Sequence, residues 1–249
     1  MANKAFRDGN FNDAYQTYRK LVLDPSTDAR QVGSVLEMAI QCLQQLNRVD
    51  EIDELREASI AAHAENWRLL WAAARSYLNV DHHGFIVSGK FERGNRRGGG
   101  EVVQAYERDR VRALQLMRQA MPLAEKDESH GEVGEFFFAC AQSLLGNRGY
   151  GEAWRLQYLT DLETLPDYEP GWGYYGPNRG APVDEEGKPV FHKLPESFEK
   201  AQTDGERWRW CLVQAAEMSP GVADRARREW ADFLWQQFGV QTMAEYGWF

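Results

Sequence analysis

A short arginine-rich segment has residue types that could bind an anion. Arg93, Arg96 and Arg97 precede three glycines, Gly98 to Gly100, and a segment predicted to be helical. Guanidinium groups beside the free N–H groups of a helix N-terminus can hold a phosphate, a sulfate or a carboxylate. The segment lacks the Lys-Ser/Thr ending of a phosphate-binding loop, and no strand clearly precedes it. One expectation is therefore that an acidic partner binds these arginines. The residues favour the alternative, in which the segment is a solvated connector or a loop packed on acidic neighbours.

A second candidate for recognition is a group of glycine-flanked aromatic residues. Trp172, Tyr174 and Tyr175 lie in the stretch Gly171-Trp-Gly-Tyr-Tyr-Gly176. Aromatic rings exposed in this way can stack on a sugar ring or receive a proline-rich peptide. The alternative is that they cover an open end of a helical array, which the residues favour slightly.

Other reactive side chains give little sign of chemistry. His82 and His83, with His63 nearby, are a weak metal signal because adjacent imidazoles point in different directions. The cysteines lie far apart on apolar stripes, so we predict buried thiols rather than a disulfide or a nucleophile; they are Cys42, Cys140 and Cys211. No hydrolase, metalloprotease or dinucleotide-binding motif is present. We expect no catalytic residue, no metal, no cofactor and no enzymatic activity.

Composition limits the classes of partner. The chain has 249 residues, a net charge of −9 and 43% hydrophobic residues, which supports a real core. The negative charge argues against general nucleic-acid binding, which needs a basic face. No stretch has the roughly 20 apolar residues of a membrane span, and no signal peptide is recognisable. The opening and closing residues suggest a piece of a larger protein.

Helical periodicity dominates the chain and indicates helical hairpins. Gly9 and Pro25 bracket a helix whose stripe is formed by Phe11, Ala14, Tyr18 and Leu21. This spacing is typical of the second helix of a tetratricopeptide repeat (TPR), a unit that must stack on neighbours to bury its apolar face. A degenerate copy starts near residues 49–52 and a third near 145–154. We predict an all-α, irregular TPR-like array, with a non-repeating helical bundle as the alternative.

The predicted array forms a single domain over residues 1–249, with helical repeats over about 1–165, a loop over 166–195 and C-terminal helices over 196–249. Two segments interrupt the helices: a Gly/Arg-rich loop at 81–100 and a Gly/Pro/aromatic loop at 168–195. The second holds the best β-hairpin candidate, with strands at 181–183 and 189–192. One long helix is expected from about Glu101 to Lys126, kinked or ended early by Pro122. The helix carrying Trp67 and Trp71 is expected to line a concave binding face.

Several strings resemble the helical N-terminal region of large bacterial alpha-2-macroglobulin-like proteins. They are Cys42 to Ile52, Asn66 to Ala74, Gly146 to Leu159 and Ala201 to Trp210. The resemblance implies that this chain is an accessory helical module of a larger protease inhibitor, which would be periplasmic or secreted. Apart from the resemblance, the sequence does not indicate a cellular location. Members of this family often carry a Cys-Gly-Glu-Gln thioester, but no cysteine here is followed by Gly-Glu-Gln. No functional residue of the family can therefore be assigned to this sequence.

Two functions from different classes follow from these patterns. The first is a non-enzymatic scaffold that binds a protein, a peptide or neighbouring domains of the same polypeptide. The second is a helical carbohydrate-binding or glycan-processing domain that uses the aromatic loop 171–176 and nearby acids such as Asp167, Glu169 and Asp184. Glycoside hydrolysis would need two carboxylates facing each other across a cleft, which sequence spacing cannot establish.

Overall fold

The structure, a computed structural model, describes residues 2–95, 97–146, 150–173 and 180–239. It is mostly helical, which confirms the predicted dominant element, and it also contains a small four-stranded antiparallel sheet that lies outside the predicted hairpin. The chain divides into two compact units, Met1–Lys126 with Leu162–Tyr174, and Asp127–Asp161 with Tyr175–Phe249. The prediction of a single domain stays a prediction.

The first unit is built around successive helices. They are α1 (Ala2–Arg7), α2 (Phe11–Val22), α3 (Val32–Gln45), α4 (Ile52–Ala62), α5 (Trp67–Leu78) and α6 (Tyr106–Ala124). The turn predicted at Gly9 is confirmed, because Gly9 N–H donates to the carbonyl of Phe6 and Asn10 N–H donates to that of Ala5. These two bonds satisfy the last carbonyl groups of α1 in a Schellman motif and turn the chain into α2.

Helix α3 joins the helices on either side of it. It packs against α2 and against α5, and α5 packs in turn on α6. A Cβ atom added at Gly33 would lie 3.1 Å from the Cβ of Ala72 and 3.2 Å from the carbonyl oxygen of Arg68. The missing side chain therefore permits the close approach of α3 and α5. These two helices begin at Val32 and Trp67, 35 residues apart, which is close to the TPR period.

Between α5 and α6 the chain forms most of the sheet. Its strands are β1 (His83–Val87), β2 (Lys90–Arg93), β3 (Glu101–Gln104) and β4 (Glu169–Pro170), in the order β2-β1-β3-β4. All neighbours are antiparallel. Ser88 and Gly89, with φ of 52° and 79°, join β1 to β2. Two positive φ values suit the twist of a two-residue hairpin.

Two sequence expectations in this region are corrected. The segment 81–100 is not a simple loop, since it contains β1 and β2. The helix expected from Glu101 begins at Tyr106 instead, because residues 101–104 pair with β1 and the β-branched Val102 and Val103 suit a strand. Pro122 does not stop α6, which continues to Ala124.

The second unit packs three long helices around an aromatic core. They are α7 (His130–Leu145), α8 (Asp204–Met218) and α9 (Pro220–Phe238). Helix α8 lies against both α7 and α9, and the buried core includes Phe136, Phe137, Trp208 and Phe233. The predicted buried thiols are confirmed, since Cys140 and Cys211 in this unit and Cys42 in the first are free and buried.

Two predicted elements of the second unit are shorter or less regular in the structure than the sequence indicated. The predicted hairpin is a single bridge between Val183 and Pro189, around a turn in which the carboxylate of Asp184 accepts N–H groups of Glu186 and Lys188. The third repeat was expected to continue as an α-helix after residue 150. The segment Tyr150–Gln157 forms 3₁₀ turns instead, with non-helical angles at Glu152.

His192 is a buried base with one unsatisfied nitrogen. Its Nε2 has no hydrogen-bond partner among the described residues, and a Cβ at Gly205 would lie 2.2 Å from its Nδ1. Burial, with a smaller contribution from the charge of Arg209, lowers the pKa of His192 to about 4. Between about pH 4 and pH 6.5, the folded chain therefore keeps this imidazole neutral, whereas the unfolded chain would protonate it.

Acidification should destabilise the fold through His192. Between pH 7 and pH 5 the free energy of unfolding should fall by about 2 kcal/mol more for the wild type than for His192→Gln, because an unfolded imidazole, with a pKa of about 6.5, binds the proton first. Urea titrations at the two pH values measure this difference. The exposed His130 provides the control, and His130→Gln should behave as the wild type. Equal pH dependence of all three proteins would contradict the assignment.

Candidate functional site

The predicted binding face at Trp67 and Trp71 is largely internal. Trp67 is only 4% exposed, and Trp71 is half-buried. Their rings stack with centroids 6.1 Å apart, and the guanidinium groups of Arg68 and Arg75 cover the rings of Trp67 and Trp71 respectively. The prediction that Trp67 contacts a partner is therefore wrong, because its ring is buried within the fold. Trp67 is the first residue of α5 and follows the N-cap residue Asn66.

Arg93 does not face a partner either. It is 4% exposed, and its guanidinium group contacts two carboxylates at once. Nη1 lies 2.8 Å from Oδ2 of Asp109, and Nε lies 3.0 Å from Oδ2 of Asp53. Nη1 also donates to the carbonyl oxygen of Asp81 at 2.7 Å. The sequence alternative of an arginine packed on acidic neighbours is correct for this residue, and the prediction of an acidic partner at Arg93 is wrong.

The three predicted arginines do not form one site in the described residues. Arg97 is exposed, whereas Arg93 points from β2 toward α4 and α6. Arg96 lies outside the described residues. Of the three, only Arg97 is shown to be accessible.

The contacts of Arg93 extend into a charged network that anchors the sheet to the helices. Asp53 also accepts a bond from Arg56, which is fully buried and reaches Ser76 on α5. Burial opposes the charge of Arg93, but the two carboxylates raise its pKa. Burial likewise opposes the charge of Asp109, but hydrogen bonds from His82 and Arg93 outweigh it and lower the pKa of this carboxyl group. Arg93 and Asp109 are thus held charged inside the fold.

A groove that sequence reasoning missed lies between α1, α2 and α3. Its volume is about 540 Å³, within the range of ligand-binding pockets. The described lining residues are Ala2, Asn3, Phe6, Arg7, Thr17, Tyr18, Leu21, Gln31, Ser34, Val35 and Met38. Tyr18 hydrogen-bonds Asn3 and ties α2 to α1, so the groove has a defined wall.

The groove combines apolar surface with little charge. Leu21 was expected on a buried stripe, but its side chain is 41% exposed and lines the groove. Val35 and Met38 add half-buried apolar surface from α3. Among the described lining residues, Arg7 is the one that carries a charge. The sequence places Leu21 on the apolar stripe of α2 but does not show that it is exposed. The opposing wall of the groove comes from α3, which the stripe does not reveal.

Trp172 is the predicted aromatic residue that the structure leaves accessible. Its side chain is 62% exposed and lies near His83 and Phe85 of β1. Tyr174 and Tyr175 lie outside the described residues. Asp167 and Glu169, named with the aromatic loop as candidate acids, are exposed in the same unit, whereas Asp184 lies in the second unit and caps its own turn.

Among the described residues, no helix combines the length and apolar character that crossing a membrane requires. Nor does any cluster of His, Cys, Asp and Glu side chains in those residues have the arrangement of a metal site. No protein family, curated protein or solved structure matches this chain.

Removing the Arg93 side chain should strongly destabilise the first unit. Arg93→Met leaves the buried carboxylate of Asp109 without its arginine partner, and breaking a buried pair in this way costs about 3–5 kcal/mol. Asp53 also loses one of its two arginine partners but keeps Arg56. Urea unfolding followed by circular dichroism measures the loss. Arg97→Met, at an exposed position, should change the free energy of unfolding by less than about 0.5 kcal/mol. Equal stability of the two variants would show that the network is not an anchor.

Proposed function

We propose that this chain is a non-enzymatic helical scaffold whose groove between α1, α2 and α3 binds a peptide segment of another protein or of a neighbouring domain. The observation that carries the proposal is the groove itself, an open volume of about 540 Å³ with exposed apolar surface on its wall. An amphipathic peptide can fill such a groove with a few apolar side chains while its polar face stays in water.

The order of helix contacts supports an array related to TPR proteins. Helix α2 follows α1 through a tight turn, α3 packs on α2, and α5 packs directly on α3, with α4 between them in the chain. In such an array each hairpin buries the apolar face of the one before it, and the rows of helices leave a groove along one side. We infer that α1 and α3 are successive first helices of this array and that α2 lies between them.

The resemblance to the helical region of bacterial alpha-2-macroglobulin-like proteins indicates the kind of partner that we favour. If this chain is the N-terminal part of such a protease inhibitor, a neighbouring domain of the same polypeptide is the natural occupant of the groove. A covalently attached partner needs little intrinsic affinity, because the linker keeps its effective concentration in the millimolar range. The groove can therefore be modest in size and still be occupied.

Charges placed in the groove should weaken peptide binding. Peptides selected from a random display library on the wild-type chain should bind Leu21→Glu and Met38→Glu at least about tenfold more weakly, because each substitution puts a carboxylate against the apolar side chains of the ligand. Fluorescence anisotropy of the labelled peptides measures the affinities. Both positions are accessible, so the helices should keep their circular dichroism.

The matched control is Leu194→Glu, which places the same charge at a leucine that is 51% exposed in the second unit. This variant should bind the selected peptides as the wild type does. The proposal fails if selection yields no binding peptide, or if the selected peptides bind the two groove variants with wild-type affinity.

A further inference from the structure

A second surface, independent of the groove, is the outer face of the small sheet. Directly paired residues of antiparallel strands project to the same side, and the side alternates along each strand. Phe85 pairs with Glu92 and Val102, and His83 pairs with Gln104. These residues therefore share one face, while Arg93 and the buried Val103 lie on the other and meet the helices.

Trp172 is fixed over this outer face and yet remains exposed. Its ring centroid lies 5.6 Å from that of His83 and 6.1 Å from that of Phe85, the latter in an edge-to-face arrangement. Its carbonyl oxygen accepts a hydrogen bond of 2.7 Å from Nε2 of Gln104. Gly173, with φ of 62°, packs so closely that a Cβ there would lie 2.6 Å from the Gln104 side chain. The indole is thus held in one place although Trp172 as a residue is 62% exposed.

The amide groups of Gln104 and Asn95 can offer hydrogen bonds beside the indole. Gln104 uses its amide nitrogen to hold the Trp172 backbone, and its amide oxygen remains an acceptor. Nε2 of His83 lies 3.3 Å from Oδ1 of Asn95, an exposed residue whose NH₂ group can donate. Charged residues on the same face have both signs, since Lys90 projects to the same side as Glu92, and Glu169 pairs with Gln104. This mixture does not select a strongly charged ligand.

We propose that Trp172, with His83, Phe85, Gln104 and Asn95, forms a binding site for a neutral sugar ring of a glycan. The apolar C–H face of a pyranose would stack on the exposed indole, and the amide groups would hydrogen-bond its hydroxyl groups. An exposed ring that is already immobilised loses little side-chain entropy on binding, so the stacking energy is retained in the affinity. This site needs neither the groove nor a catalytic carboxylate.

Calorimetric titration with cello-, malto-, chito- and manno-oligosaccharides tests the site. At least one series should bind the wild type, and Trp172→Ala should weaken that binding about tenfold or more, as the loss of an aromatic stacking partner predicts. Trp172→Phe keeps a flat ring and should retain an intermediate affinity. Trp235→Ala is the matched control, because this tryptophan is 61% exposed in the second unit, and it should bind as the wild type.

Circular dichroism of each variant should match that of the wild type, since both tryptophans are mainly in solvent. The proposal is overturned if none of the four oligosaccharide series binds the wild type, or if Trp172→Ala binds as tightly as the wild type. A lysine-rich peptide provides a further test. The proposal is overturned if this peptide displaces a bound saccharide from the wild type and fails to bind Trp172→Ala, because the indole would then be a binding site for a cation.

Discussion

The close packing of α3 on α5 is the interaction on which the first unit depends. Gly33 allows the two helices to meet at the Cβ of Ala72, and the buried side of α3 contributes Val32, Leu36 and Ala39 to the core. Because this side is committed to its neighbours, the opposite side of α3 is left to present Ser34, Val35 and Met38 to the groove. The candidate binding surface is thus a direct consequence of how a helical hairpin must bury its apolar face.

The sheet depends on the helices through charge rather than through a core of its own. A small sheet of short strands is only marginally stable alone, and here Arg93 ties β2 to Asp53 of α4 and Asp109 of α6. Desolvating these groups is costly, but each charge has an opposite partner and additional hydrogen bonds. The anchored sheet can then hold Trp172 in a fixed and exposed position, which a mobile loop could not do.

Helices were predictable because their apolar residues recur every three to four positions. The bounds of α2, α3 and α5 follow from stripes such as Ala14 with Tyr18, and from the breaks at Gly9 and Pro25. The strands were not predicted, because each spans five residues or fewer and Gly84 interrupts the alternation of β1. The pair Ser88-Gly89 was a usable hairpin signal. The partners of Arg93 lie 40 and 16 residues away, so local spacing could not reveal them.

The central claim is that the groove formed by α1, α2 and α3 is a protein-binding site. Hydrogen–deuterium exchange of the wild-type chain, with and without a peptide selected for binding to it, tests this claim most directly. The account predicts slower amide exchange concentrated in residues 2–45 when the peptide is bound. Protection that is absent from these three helices, or that lies in the second unit instead, would contradict it.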